Sequence, residues 1–325
     1  MSLLENEKHY TGSDLDQIFF RPMLTGPSAQ ELGVRILYNL PTPTTVHLWE
    51  AHQNILQKYS SGWSGGPTAN RYEKRIPLSA VKAEMSFSAS DYFASVYEKI
   101  IGQPDVNLQD LSGTELEKAE TELFREALLE NIRATMWAGD TSASGGYNTF
   151  DGFFKSINDL EDSGDLDSYS FEMNKLTPEK VVELFDALLT NTSGRLLSQR
   201  AEGHLAFFVS SYLYHLYEKW LDSKGVDIAY TECVAGRQRL AYHGIPVIDV
   251  CMDDYLPRSS FSKFTTFCML TDRRNLVLAV NTADCPGNEV RMWYNPDEME
   301  NRQRAVFMAG CEILDEGLLS FAYGI

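Results

Sequence analysis

Apolar residues recur along this chain at two spacings, and each spacing predicts a different kind of element. Over 114–137, Leu116, Ala119, Leu123, Phe124, Ala127, Leu128 and Ile132 fall on one face at 100° per residue, the signature of an amphipathic helix. Glu115, Glu122, Glu126, Glu130 and Arg133 line the opposite edge. Ser112 and Thr114 are candidate caps, and Glu115 and Glu117 suit the positive end of the helix dipole. Roughly 24 residues at 1.5 Å each make a rod of about 36 Å, long for a globular helix. A second helix is predicted after Thr177-Pro178, a cap followed by proline at the first helical position, and carries Val181, Val182, Leu184, Phe185, Leu188 and Leu189. Shorter helices are predicted over 46–57, 90–100 and 210–221, and at most one brief helix around 14–20 in an otherwise extended arm.

Strict alternation of apolar and polar residues over 81–87 predicts a strand with one buried face. Strands are also predicted over 34–40, where Pro41-Thr42-Pro43 stops the run, and over 207–209, 276–280, 289–294 and 305–313. The run 239–248 reads as strand, turn, strand. Turn residues surround Trp63 over 59–68, and with 71–77 and 81–87 they predict a long extended excursion carrying Arg71, Lys74, Arg75 and Lys82. Segments 142–147 and 160–170 read as polar connectors. Helices and strands do not alternate regularly, so the expected class is α+β, without internal repeats.

Charge narrows the function classes. The 325 residues carry a formal charge of −18. Wrapping nucleic acid or sitting on anionic lipid needs clustered positive charge, so both are disfavoured. No apolar run approaches the length of a membrane span, and the first residues lack the pattern of a secretory signal. Five cysteines without a C-x-x-C pair read as reduced cytoplasmic thiols.

Catalytic signatures are scarce. No nucleophile elbow, phosphate loop, zinc-protease helix or dinucleotide fingerprint occurs. Gly62 to Gly66 precedes no helix that would present its N-terminus to a phosphate. His47 and His52 are spaced wrongly for a ligand pair on one helix, and His204, His215 and His243 are scattered. The acidic run 159–167 imitates the front of a calcium loop, but Ser170 stands where the closing glutamate belongs, so a solvated connector is expected. Asp249, Asp253 and Asp254 offer a carboxylate pair without a base-orienting histidine. The expectation is no catalytic residue, no cofactor and no metal.

The order of elements carries more information. The helix over 114–137, the phrase Met136-Trp137-Ala138-Gly139-Asp140, then Thr149-Phe150-Asp151-Gly152-Phe153-Phe154, then Phe207-Phe208-Val209-Ser210 and Tyr242-His243-Gly244-Ile245-Pro246-Val247 resemble the tailed-phage major capsid protein of the HK-ninety-seven type. The resemblance spans about 34–325 and rests on pattern, since that family has no short signature. The wording of 35–40 and 304–310 is most similar to capsid proteins of phages or prophages of gut Bacteroidales. The resemblance implies an N-terminal arm (1–58), an extended loop (59–87), a peripheral domain (88–170) with its spine helix at 114–137, an axial domain (171–274) and a return to the peripheral domain (275–325). It further implies pentamers and hexamers of the chain closing an icosahedral head around double-stranded DNA, within a virion assembled in the bacterial cytoplasm. Implied partners are further copies of the chain, a portal, a scaffold and possible decoration proteins, with DNA touched non-specifically and no membrane. No long scaffold-like N-terminal segment is present, so scaffolding is expected from a separate chain or to have been removed already. The family's occasional Lys–Asn cross-link is not carried over.

Elementary physics adds a specific expectation. Trp63 at a glycine-rich tip needs a packing surface, and a neighbouring copy would supply it. Glu122, Glu126 and Glu130 are spaced i,i+4, where like charges cost about 0.2–0.5 kcal/mol per pair. A neighbour's Arg71, Lys74, Arg75 or Lys82 would relieve that cost, which lays the basic loop of one subunit over the acidic helix edge of the next. The competing readings are an encapsulin-like compartment shell, an acidic cytoplasmic hydrolase using the aspartate pair, and a tail or head-completion protein.

Overall fold

The long amphipathic stripe forms a helix over Glu115–Ala138, within a residue of its predicted ends. It belongs to a computed structural model that describes residues 8–21, 33–42, 44–49, 58–59, 61–62, 71–88, 115–166, 168–225, 230–234, 237–283, 285, 287, 289–295, 297–298 and 300–325. The helices are α1 (Gly12–Leu15), α2 (Glu115–Ala138), α3 (Phe153–Ser163), α4 (Pro178–Asn191), α5 (Gly194–Ser198) and α6 (Ser211–Lys224). The strands are β1 (Lys8–Tyr10), β2 (Arg35–Tyr38), β3 (Thr45–Trp49), β4 (Arg71–Arg75), β5 (Ser79–Ser88), β6 (Ser168–Phe171), β7 (Leu205–Val209), β8 (Tyr230–Val234), β9 (Arg237–Tyr242) and β10 (Ile245–Asp249). They continue with β11 (Phe267–Asp272), β12 (Leu276–Asn281), β13 (Glu289–Asn295), β14 (Glu300–Ile313) and β15 (Leu319–Gly324). The predicted α+β class is what the chain adopts. The predicted helix over 90–100 lies outside the described residues.

Two large sheets share one core. The first is built around β14, whose odd-numbered residues from Asn301 to Ile313 are buried. Val306 pairs with Glu289 of β13 and Lys82 of β5, while Met308 pairs with Asn281 of β12 and Ala80 of β5. A strand has two edges, so β5 lines one edge of β14 while β13 and then β12 share the other. Strands β1 and β2 extend the sheet beyond β13 and β12. The second sheet runs β6-β15-β11-β7-β10-β9-β8. Phe208 of β7 and Phe267 and Met269 of β11 face the core shared with α2 and α3, whereas Leu205, Phe207, Cys268 and Leu270 face α4 and α6. Burial on both faces explains why β7 and β11 read as continuous apolar runs rather than alternating ones.

The caps follow the sequence. Thr177 Oγ1 accepts from the backbone N–H of Lys180, and Pro178 opens α4. Trp137 lies at the centre of the shared core, with ring centroids 5.2 Å from Phe153, 5.6 Å from Phe154, 5.8 Å from Phe208 and 6.3 Å from Phe267. The chain can turn from α2 into α3 because Gly139 and Gly152 meet backbone to backbone. A side chain at Gly139 would place its first carbon 2.2 Å from the Phe150 carbonyl oxygen.

Three expectations are corrected. Segment 46–57 opens as a strand, not a helix: β-branched Thr45 and Val46 favour the pleat, and β3 pairs with β4 from Thr45↔Arg75 to Trp49↔Arg71. Segment 160–170 is solvated over 162–165 as expected, but it is not irregular throughout: it holds the end of α3, the left-handed cap Gly164 and β6. Its acidic run is thus partly helical and cannot wrap a calcium ion as a loop. The beginning of the arm has the expected brief helical stretch, over Gly12–Leu15 and Asp16–Phe20, and lies on the body, since β1 pairs with β13, and Leu15, Phe19 and Phe20 are buried in the core. Finally, 71–77 and 81–87 do not form one excursion, because β5 is paired along ten residues with β14.

Glu161, in the mis-assigned connector, ties four elements together. Its carboxylate accepts from Ser168 Oγ at 2.7 Å, Tyr323 OH at 2.9 Å and Lys263 Nζ at 2.9 Å. Burial pushes its pKa up, but the hydrogen bonds from Ser168, Lys263 and Tyr323 outweigh burial and hold it below the ordinary 4.5. A depressed carboxylate stabilises the fold above its unfolded value and loses that contribution as pH falls through the folded one. Glu161→Gln is therefore expected to lower the urea midpoint at pH 7 and to converge with the parent chain at strongly acidic pH. A constant gap between the two melting curves across that range would contradict this role.

Candidate functional site

Strands β3 and β4 stand apart from both large sheets as a two-stranded unit of five residue pairs. Such a ribbon is marginal alone in water and needs a packing surface. Its root has one: Val46 and Ile76 are buried against Val277, Ala279 and Leu314. The backbone N–H of Ile76 donates to Thr44 O at 2.9 Å and closes the base of the hairpin. Beyond the root His47, Glu73 and Arg75 are exposed, and Tyr59, in the segment joining the two strands, is 97% exposed.

The basic residues of the predicted loop separate into different settings. Trp63 lies outside the described residues, and Arg71 is placed by its backbone pairing with Trp49. Arg75 is exposed and makes no ion pair among the described residues. Lys74 turns inward instead, on the same hairpin face as its cross-strand partner Val46. Its Nζ lies 3.4 Å from Glu316 Oε1 and 3.7 Å from Glu312 Oε1. Lys82 is on the body strand β5, exposed and paired with Glu84 at 2.9 Å. Lys74 and Lys82 are thus already matched within their own chain, Lys82 by the same-face residue two along β5 and Lys74 by carboxylates that the packing of the hairpin root brings near.

The acidic edge of α2 is likewise partly compensated. Glu122 pairs with Arg125, and Glu130 with Arg133 at 2.9 Å, each three residues further along. Glu130 also accepts from Tyr255 OH, and Arg133 donates to Val250 O at 3.1 Å, which fastens the helix to the 250–255 segment. The Arg133 hydrogen bond, opposed by burial and aided by Tyr255, lowers the Glu130 pKa, while that carboxylate and burial push the Tyr255 phenol up to about 12. Interleaved arginines offset the i,i+4 repulsion expected from the glutamates alone. Glu126 is the exception: it is exposed and unpaired among the described residues. Beside this edge, an apolar groove of about 520 Å³ opens between α2 and β5, lined by Val81, Met85, Phe124, Leu128, Ile132 and Phe307. Tyr59, Glu312, Glu316 and this groove had no signal in the sequence, since each takes its meaning from residues far away in the chain.

The aspartates of the hydrolase reading have structural settings. Asp249 accepts from Ser211 Oγ at 2.8 Å and from the Cys251 N–H at 2.9 Å, at the start of α6. Asp253 and Asp254 sit in the turn that follows β10. Among the described residues no group of three or more His, Cys, Asp or Glu side chains is arranged to hold a metal ion. No described helix is long and apolar enough to cross a membrane.

No family model and no curated protein matches this sequence. Solved structures do match its fold. A chain of the satellite phage P4 procapsid with its size determination (Sid) protein aligns at TM-score 0.56 and 8% identity, over 93% of this chain and 98% of that one. The capsid of an empty GTA particle aligns at TM-score 0.52 and 13% identity, over 92% and 90%. A chain from Gordonia phage Cozz aligns at TM-score 0.50 and 10% identity, over 90% and 85%. Two sheets around a shared core, a long helix beside them and a projecting hairpin make this the phage major capsid fold.

Proposed function

We propose that the chain is a structural, non-enzymatic shell subunit: the major capsid protein of a tailed phage or prophage, built into pentamers and hexamers that close an icosahedral head around double-stranded DNA. In this reading the β14 sheet with α2 and α3 is the peripheral domain, the β7–β11 sheet with α4 and α6 is the axial domain, and the β3–β4 hairpin is the extended loop. Its partners are further copies of itself, a portal, a scaffold and possible decoration proteins. Its place is the virion capsid, assembled in the host cytoplasm. The observation that carries the reading is the hairpin, whose root is buried on its own body while Tyr59 beyond it is bare. A ribbon of that kind gains its missing apolar contacts when it lies on a neighbour, and an aromatic anchor there buries on the order of 150–250 Å².

Negative-stain microscopy of the purified chain tests this. Rings of five or six copies, or closed shells, are expected; a monomer under all assembly conditions would count against it. The hairpin of one subunit is proposed to lie along the neighbour's α2, with Arg71 or Arg75 meeting Glu126. Glu126→Lys is then expected to reduce shell yield several-fold while leaving thermal unfolding of the monomer within about 0.5 kcal/mol. Shells at parental yield would dismiss that pairing without touching the shell reading. Glu130 is unsuitable for the same test, because its bonds to Arg133 and Tyr255 belong to the fold of the monomer.

A further inference from the structure

Two short connections join the hairpin to the body, and one of them crosses β14 at an unusual point. The backbone of Pro77 passes so close to Gly310 that a side-chain carbon built on Gly310 would lie 1.9 Å from the Pro77 carbonyl oxygen. Leu78 leads directly into β5, which is held by ten residue pairs, so the chain cannot slide at this crossing. Everything on the hairpin side of Ile76 can therefore tilt about it. The five residue pairs of β3 and β4, at about 3.3 Å per residue, make a lever of roughly 17 Å.

Besides the apolar root, one described side chain of β4 reaches across to carboxylates of the body and opposes tilting. Lys74 reaches from β4 to two carboxylates on the body, Glu316 at 3.4 Å and Glu312 at 3.7 Å. Glu316 is in the turn before β15 and Glu312 is near the end of β14, so a single ammonium spans two separate elements. Glu312 is largely covered in this position, with 19% of its side chain exposed. We propose that Lys74, seated between Glu312 and Glu316, is a latch that sets the angle at which the hairpin leaves the body, with the Pro77–Gly310 crossing as its fulcrum.

The latch is expected to respond to pH. The charged groups around Glu312 are Lys74 from the hairpin, Glu316 from the turn, Arg35 two strands away in the same cross-strand row, and Asp315, which is engaged by Arg195 at 2.6 Å. Burial raises the Glu312 pKa above its ordinary value, and Lys74 pulls it back only in part. Tilting the hairpin away would wet Glu312 and return its pKa towards normal. The seated position thus binds protons better than the tilted one, so mild acid favours it by relieving the cost of burying the Glu312 charge, with Lys74 then paired to Glu316, and it is favoured less as pH rises through the Glu312 pKa.

Hydrogen exchange of the purified full-length chain between pH 5 and 8, corrected for intrinsic rates, reads this directly. Lys74→Ala is expected to raise the exchange of β3 and β4 amides about threefold to fivefold while the core strands β11 and β12 keep their protection. Glu312→Gln keeps the shape of the contact and should remove the pH dependence of hairpin protection. Unchanged hairpin exchange in Lys74→Ala, or an undiminished pH dependence in Glu312→Gln, would overturn the latch. Loss of β11 protection in Lys74→Ala would also overturn it, by showing that Lys74 supports the body rather than the hairpin. The measurement is made on the unassembled chain and stands whether or not shells form.

Discussion

Truncating Trp137 to alanine is expected to lower the unfolding free energy by about 3–5 kcal/mol, the range for removing a large aromatic from a packed interior. Trp137 is 2% exposed and is the side chain on which four rings from three further elements converge: Phe153 and Phe154 of α3, Phe208 of β7 and Phe267 of β11. The cavity would therefore open where α2 and α3 pack on the second sheet. The surroundings are themselves interlocked. Phe154 is 4.9 Å from Phe267 and 5.6 Å from Phe264, and Phe321 stacks on Phe267 at 6.2 Å. Little of the void can therefore close by relaxation, which places the cost at the upper part of the range. Urea unfolding followed by tryptophan-independent circular dichroism measures it. A loss below about 1 kcal/mol would mean that the junction is far looser than its ring distances imply.

Gly310→Val is expected to be the most damaging single substitution in the β14 sheet. Overpacking ordinarily costs about 1–3 kcal/mol, because side chains yield. At Gly310 the obstacle is the Pro77 carbonyl oxygen, part of a backbone held on one side by the hairpin root and on the other by β5. Gly310 itself pairs with Ala279 of β12, so β14 cannot retreat without breaking a second ladder. The expected outcome is insoluble protein or a thermal midpoint lowered by more than 10 °C, with the hairpin root the first region to lose protection from exchange. A valine variant that unfolds like the parent would show that the crossing is not tight. Gly310→Ala is the milder companion and should fall between the two.

The elements legible in the sequence were those whose signal is local. The spine helix, the Thr177-Pro178 start of α4 and the strands at 207–209, 276–280 and 289–294 follow from spacing and capping, which depend on residues within one or two turns of each other. The helix expected over 46–57 is replaced by a strand over 46–49, the part within the described residues, because its apolar residues fit a helical period while pairing with β4, more than twenty residues away, selected the strand. In 160–170 exposure was read correctly for Asp162 and Asp165 and missed for Glu161, which Ser168, Lys263 and Tyr323 draw inward from distant elements. Several charges of the proposed interface have intrachain partners that a charge count does not show. Lys74 meets Glu312 and Glu316 from far along the chain, Lys82 meets Glu84 on its own strand, and Arg125 and Arg133 sit where they answer Glu122 and Glu130.

The sequence by itself determined that this chain is an acidic α+β protein with a long helix, a set of apolar strands and no legible catalytic motif, because composition and periodicity act over short stretches of chain. Tertiary structure alone decided that β5 belongs to the body, that the lone hairpin is β3 with β4, and that Gly310 marks the point where the hairpin departs. Each of those facts rests on two segments far apart in sequence meeting at van der Waals distance. Such meetings are selected by the packing of the whole core and leave no mark on either segment read alone.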